Sequence, residues 1–188
     1  GDLATVASWR YLAGDYRQAE AYYQQALEVE PGNPDAILGL VETWTAEGRT
    51  VQARQTLEQL ELPEDTSVNY RRRYANALAG LGNPAAANAI FDELIESGQA
   101  DALLYRDAAR LHAQQDPQRA LDLYAQGMAA NGLLAPGALN PRNDRQMTAA
   151  SRLKDADDWL TGSLRSSVDS LYQQQNPTVR LQHDYGWR

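Results

Sequence analysis

Apolar and small residues recur along the first two thirds of the chain at intervals of 33 or 34 residues. Each interval carries an apolar–small pair, a glycine or polar turn, an alanine and, four residues later, a bulky side chain. The alanines are Ala19, Ala53, Ala87 and Ala120, and the bulky residues are Tyr23, Leu57, Phe91 and Tyr124. Because residues four apart share a helix face, the pattern predicts four helix–turn–helix units with these residues packed in the core.

This spacing resembles the tetratricopeptide repeat family, whose unit is a helix–turn–helix of about 34 residues. The resemblance covers residues 1–132. A single helix pair cannot bury its apolar stripe alone, so neighbouring pairs stack against one another. The expected fold is therefore an all-α solenoid of about four helix pairs, followed by a linker helix and a short extended tail.

In the geometry of this family, outward residues of each first helix line a concave groove. On that basis the groove residues are Tyr11, Glu42, Thr45, Arg72, Asn76, Tyr105 and His112. Aromatic faces mixed with amide, hydroxyl and charged groups suit sugar rings or an extended peptide. A plain solvated helix surface is the alternative for each of these residues. The run 71–73 of three arginines is expected to pair with acids on a neighbouring helix rather than to form an anion site.

The last third of the chain has a different pattern. Two prolines and a glycine predict a loop over residues 133–146. Apolar residues at spacings of three and four predict a linker helix over 147–175, or a helix pair divided near Gly162. From 176 to 188 apolar and polar residues alternate, as in a strand. Because an isolated strand is unstable, we expect it to be the first strand of a larger, truncated sheet, and its length suits a membrane barrel.

The order of these segments narrows the resemblance. Helical repeats are followed by Asp157-Asp158-Trp159-Leu160, then by the run from Leu171 to Val179 and a strand ending Tyr185-Gly186-Trp187. This order resembles the junction in the family of bacterial outer-membrane cellulose exporters, where periplasmic repeats precede the β-barrel through which cellulose leaves the cell. The resemblance implies these junction residues: Trp159, Leu160, Leu164, Leu171, Tyr172, Asn176 and Pro177. The linker helix would cap the fourth repeat or pack at the periplasmic rim of the barrel.

Composition excludes several kinds of chemistry. The net charge is −8, and residues 1–139 hold 10 arginines against 19 acidic residues, which disfavours nucleic acid as a partner. Cysteine is absent and the two histidines are far apart, so little material exists for a metal site or a histidine-based triad. Since no catalytic motif stands out, we expect a protein that is not an enzyme and has no cofactor.

The family resemblance implies a function. It would be a non-catalytic periplasmic scaffold that aligns the cellulose synthase with the outer-membrane barrel, with guidance of the glucan as a further role. The implied partners are the periplasmic part of the inner-membrane synthase complex, nascent glucan or peptidoglycan, and the protein's own barrel. The alternatives are a repeat domain of another exopolysaccharide exporter, such as that of poly-N-acetylglucosamine, and a generic peptide-binding repeat scaffold.

Overall fold

The computed structural model describes residues 2–60, 66–132, 153–162 and 164. Within these residues the chain is entirely helical apart from turns. The helices are α1 Leu3–Leu12, α2 Tyr16–Val29, α3 Pro34–Ala46, α4 Thr50–Gln59, α5 Val68–Gly80, α6 Pro84–Glu96, α7 Ala102–His112, α8 Pro117–Ala130 and α9 over 153–162. The first eight form four pairs, so the predicted all-α repeat fold is confirmed.

Some predicted elements lie outside the described residues. They are the loop over 133–146, the strand over 176–188 and, apart from 153–162 and Leu164, the linker helix. The helices that are described are also too short or too polar to span a bilayer.

The helix ends explain why the elements begin where they do. Seven of the eight paired helices start with a side-chain cap, in which a carboxylate, amide or hydroxyl oxygen accepts a backbone N–H of the first turn. Such a cap satisfies a donor that has no partner inside the helix. Arg49, before α4, provides no side-chain cap. Proline at the start of α3, α6 and α8 fits the same positions because its missing N–H would have had no helical partner.

The turn inside each of the first three pairs depends on glycine. Gly14, Gly48 and Gly82 have φ of 78°, 78° and 88°, a conformation that disfavours a side chain. The next residue closes each turn; for example, the Asn83 N–H donates to the Leu78 carbonyl at 2.8 Å. The fourth pair has Gln115 where glycine is expected. There the Asp116 N–H donates to the His112 carbonyl at 2.8 Å instead.

The chain divides into two compact units, of which the first spans Gly1–Gln99. Its three helix pairs are α1–α2, α3–α4 and α5–α6, and α3 also contacts α1, α2 and α5. The predicted core positions are confirmed, since Ala19, Ala53 and Ala87 are completely buried. The bulky residues four positions later are at most 3% exposed. The alanine and the bulky residue of each of these repeats therefore both lie in the core, as the repeat pattern predicts.

The second unit spans Ala100–Arg188, and its described part holds α7, α8 and α9. Ala120 and Tyr124 of the fourth repeat are buried, which confirms their predicted packing roles. Asp107, which breaks the apolar pattern of its repeat, is only 7% exposed. Its carboxylate accepts hydrogen bonds from the Arg106 guanidinium at 3.1 and 2.9 Å, so the buried charge is compensated.

Candidate functional site

The predicted groove residues are distributed over both units. Those in the first unit lie on α1, α3 and α5, the first helices of three successive pairs: Tyr11, Glu42, Thr45, Arg72 and Asn76. These three helices contact one another in a row, α1 with α3 and α3 with α5. We call the surface that carries these five residues the first-helix face. The other two predicted residues, Tyr105 and His112, lie on α7 in the second unit.

An ion-pair network joins α5 to α3, two of the helices that carry the first-helix face. The Arg73 guanidinium donates to both carboxylate oxygens of Glu42, at 3.0 and 2.6 Å, and to Asp35 at 2.9 Å. Burial opposes the charged form of Arg73, but the Glu42 carboxylate outweighs this effect and raises the arginine pKa. The hydrogen bonds thus hold the Arg73 guanidinium against the two carboxylates of α3.

Tyr11 borders this network on α1. Its ring lies 5.6 Å from the ring of Tyr16 at an interplanar angle of 49°. Partial burial and then the negative charge of Glu42 raise the pKa of the Tyr11 hydroxyl, so it remains neutral at physiological pH. The two tilted rings give the face an aromatic edge beside neutralised charges, which suits contact rather than proton transfer.

The remaining residues of the first-helix face are Thr45, Arg72 and Asn76. The Thr45 hydroxyl donates to the Val41 carbonyl one turn back, at 2.7 Å. Arg72 donates to the Asn69 side chain on its own helix, at 2.8 Å. Asn76 is exposed. A ligand-binding role for these three residues remains a prediction.

Two arginines of the run 71–73 pair with acids on two different helices. Arg71 pairs with Glu93 of α6 at 2.6 Å, while Arg73 pairs with the acids of α3. The prediction that the run pairs with acids on neighbouring helices is confirmed for both residues. Arg73, however, was not among the predicted groove residues. The sequence feature that points to Arg73 is the run of three arginines. Because consecutive residues of a helix point in different directions, only one of the three can face a given neighbouring helix.

A second cluster missed by the sequence analysis joins the first two repeats. The indole N–H of Trp44 donates to Glu20 at 2.7 Å, and Arg49 contacts both Glu20 oxygens at 2.9 Å. The Arg49 guanidinium also lies 5.4 Å from the centre of the Trp44 ring. Although burial alone raises the pKa of Glu20, these donors outweigh it and lower that pKa. The cluster fixes the turn between α3 and α4 against α2.

In the second unit the predicted junction residues begin on α9. Asp157 accepts two hydrogen bonds from Arg110, at 2.7 and 2.9 Å, and one from the Tyr124 hydroxyl at 3.0 Å. Leu160 is completely buried and its side chain lies against Gly127 of α8. This contact favours the arrangement in which the linker helix caps the fourth repeat. Trp159 and Leu164 are half-buried.

The other predicted residues of this unit have modest surroundings. The Tyr105 side chain packs against Gly127, and His112 is half-buried in the last turn of α7. Leu171, Tyr172, Asn176 and Pro177 lie outside the described residues. Within the part of the chain that the structure describes, no three His, Asp or Glu side chains are grouped as metal ligands would be.

Comparison with known proteins agrees with this architecture. A tetratricopeptide repeat model matches residues 10–72. Cellulose synthase operon protein C of Escherichia coli strain K12 is 39% identical over 188 aligned residues, which cover 96% of this chain and 16% of that protein. The Salmonella typhimurium protein of the same name is 38% identical with the same coverage. The chain thus spans about a sixth of the length of these relatives.

Solved structures confirm the fold. A tetratricopeptide repeat protein from Parabacteroides merdae superposes with a TM-score of 0.58 at 19% identity, over 87% of this chain and 68% of that one. The MamA crystal structure gives 0.52 at 17% identity, over 93% and 95% of the two chains. The resemblance predicted from the sequence is confirmed. The chain has an all-α fold of the tetratricopeptide-repeat type, and 96% of it is similar in sequence to about a sixth of cellulose synthase operon protein C.

Proposed function

We propose that this chain is part of a non-catalytic scaffold in a bacterial cellulose secretion system. The observation that carries the proposal is the 39% identity to cellulose synthase operon protein C over 96% of the chain. The repeat fold supports a scaffold, because stacked helix pairs offer extended contact surfaces. The network around Arg73 agrees with this role, since the carboxylates of Glu42 and Asp35 pair with Arg73 and so join α3 to α5.

For the scaffold's place in the cell, the support is the resemblance of the junction residues to those of the outer-membrane cellulose exporters. It would lie in the periplasm, attached to an outer-membrane barrel, and align that barrel with the inner-membrane synthase. The docked α9 supports this proposal, because a linker fixed to the fourth repeat passes the orientation of that repeat on to the segment that follows. Guidance of the nascent glucan between the two membranes is a further role.

A peptide-binding repeat scaffold is the second candidate. The specific observation in its favour is the likeness to the repeat protein YrrB, described as having an unusual peptide-binding site, with a TM-score of 0.51. That likeness concerns the fold, since the identity is 15%. A repeat domain of a poly-N-acetylglucosamine exporter remains a third alternative, to be separated from the first by the choice of partner.

A binding experiment separates these candidates. The chain is immobilised and exposed to the purified periplasmic part of a cellulose synthase complex, with the corresponding part of a poly-N-acetylglucosamine synthase as the comparison. We expect saturable binding to the first alone. Binding to neither, or equal binding to both, contradicts the proposed scaffold. Release of soluble sugars when the chain is incubated with cellulose or peptidoglycan contradicts its non-catalytic character.

A further inference from the structure

A pocket of about 430 Å³ opens between α4 and α5 in the first unit. Its floor is apolar and consists of Leu57, Leu78 and Leu81. None of the predicted groove residues lines it. The volume falls within the range of about 300–1,000 Å³ that is typical of small-ligand pockets. We call this cavity the lateral pocket.

Four polar side chains surround the apolar floor: Arg54, Glu58, Tyr74 and Asn83. Arg54 donates to the Leu81 carbonyl at 2.8 Å, which fixes its guanidinium at the rim while other N–H groups stay available. The Asn83 side-chain oxygen accepts the Ala86 N–H at 3.2 Å, so its orientation is also fixed. The amide nitrogen of Asn83 is left as a donor. Two preoriented donors therefore flank the floor.

The acceptors of the pocket are unused. Among the described residues, neither the Glu58 carboxylate nor the Tyr74 hydroxyl has a hydrogen-bonding partner. Glu58 lies one turn after Arg54 on α4, and the formal charges of the two side chains add to zero. The lateral pocket thus combines an apolar floor, a phenol ring, donors and acceptors without a net charge.

We propose that the lateral pocket binds a neutral sugar unit, and specifically glucose units of a β-linked glucan. Sugar rings have apolar C–H faces that match the leucine floor and the Tyr74 ring, and hydroxyls that pair with Glu58, Asn83 and Arg54. The choice of a β-linked glucan rests on the proposed function. The choice of a neutral, hydroxyl-rich ligand rests on the pocket alone.

Other ligand classes fit the lateral pocket less well. An apolar peptide side chain would cover the leucines but would form no hydrogen bond with the exposed Glu58 carboxylate or Asn83 amide. A phosphate or other anion would meet the Glu58 charge one helix turn from Arg54. A neutral molecule with several hydroxyls satisfies both kinds of polar group at once.

The test is a titration of the ¹⁵N-labelled chain with cellotetraose at millimolar concentration, followed by amide NMR. Maltotetraose serves as the α-linked comparison, and a leucine-rich peptide as the alternative ligand. We expect cellotetraose to shift the amide signals of residues lining the lateral pocket. Glu58→Ala should weaken this binding about tenfold or more, because it removes a charged hydrogen-bond acceptor. Tyr74→Phe, which retains the ring, should weaken it less.

The matched control is Glu28→Ala, which removes an exposed glutamate on α2 and should leave sugar binding unchanged. Thermal unfolding of each variant verifies that the fold is retained. The proposal is overturned by no shift with either sugar, by shifts that persist undiminished in Glu58→Ala, or by binding of the peptide alone. Preference for maltotetraose overturns the β-linkage. The scaffold proposal is tested separately, by binding to the periplasmic part of the synthase. The scaffold proposal and the sugar-binding proposal can therefore fail independently.

Discussion

Arg73 on α5 donates hydrogen bonds to both carboxylate oxygens of Glu42 on α3, with N–O distances of 3.0 and 2.6 Å. The two side chains are only 19% and 18% exposed. Because they belong to the first helices of successive repeats, the pair ties the second repeat to the third. Removing one member leaves the other charge poorly solvated, which costs more than the pair itself contributes.

Arg73→Met should therefore lower the free energy of unfolding by about 2–4 kcal/mol, measured by urea denaturation. Adding Glu42→Gln should restore part of the loss, since the partly buried carboxylate is then neutral and the remaining partner, Asp35, is exposed to solvent. Arg17→Met is the control, because Arg17 is exposed on α2. Equal losses for Arg73→Met and Arg17→Met would contradict the structural role of the pair.

A glycine in the middle of α3 makes room for a tyrosine of the preceding helix. A side-chain carbon at Gly39 would overlap the Tyr23 ring, whose hydroxyl lies 3.0 Å from that of Ser8. Gly39→Ala should destabilise the chain by about 1–3 kcal/mol through overpacking, even though alanine is favoured in helices by about 1 kcal/mol. A decrease in Tm measures this effect.

Gly32→Ala provides the matched control for Gly39→Ala. Gly32 lies in a turn with nothing within 4 Å of an added carbon and without a left-handed backbone. Its replacement should leave Tm nearly unchanged. Equal Tm values for Gly39→Ala and Gly32→Ala would contradict the close approach of Tyr23 to α3.

The repeat alanines make a second packing prediction. Ala53 is completely buried in α4, whereas Gln55 is exposed on the same helix. Ala53→Leu should cost about 1–3 kcal/mol, because the added carbons have no space between the helices. Gln55→Leu introduces the same side chain at the surface and should have little effect. Comparable denaturation midpoints for the two variants would contradict the alignment of the repeats.

The repeat positions could be predicted from the sequence because they depend on local spacing. Ala19 and Tyr23 lie one helix turn apart, so their shared face is fixed by the helix itself. The turn glycines are equally local, and Gly14, Gly48 and Gly82 recur at intervals of 34 residues. Within each repeat, the residues that must interact lie fewer than ten positions apart in the chain.

The partners across helices were not predictable in the same way. Arg73 meets Glu42 across 31 residues, and Arg110 meets Asp157 across 47. Neither pairing leaves a period in the sequence, because helix rotation and packing decide which of several charges face each other. The sequence therefore indicated Arg72 for the first-helix face, one position away from the arginine that pairs with Glu42 and Asp35.

The contact between α9 and α8 gives a further prediction. A side-chain carbon at Gly127 would lie 3.0 Å from both Leu160 and Tyr105. Gly127→Val should therefore displace α9, and faster amide hydrogen exchange over 153–162 would report this. Gln126→Val places the same residue at the adjacent exposed position and serves as the control. Equal exchange rates in the two variants would show that α9 does not depend on this contact.

The ion pair beneath α9 makes its docking sensitive to acid. Burial alone raises the pKa of Asp157, but the hydrogen bonds from Arg110 and Tyr124 outweigh burial and lower it. The other charged groups near this site are Asp107, which acts on Arg110, and Arg106, which acts on Asp157. Since the pKa is lower in the docked state than in the free carboxyl, docking favours the ionised form.

The stabilisation from Asp157 is therefore complete above the ordinary carboxyl pKa of about 4 and is lost as the pH falls through the lower, docked value. We expect the amide NMR signals of Leu160 and Gly127 to keep their docked positions at neutral pH and to move together on acidification. Asp157→Asn should weaken docking at neutral pH and remove most of this acid dependence. Asp155→Asn, an exposed change on α9, should preserve it. An unchanged acid transition in Asp157→Asn would assign the effect to another carboxylate.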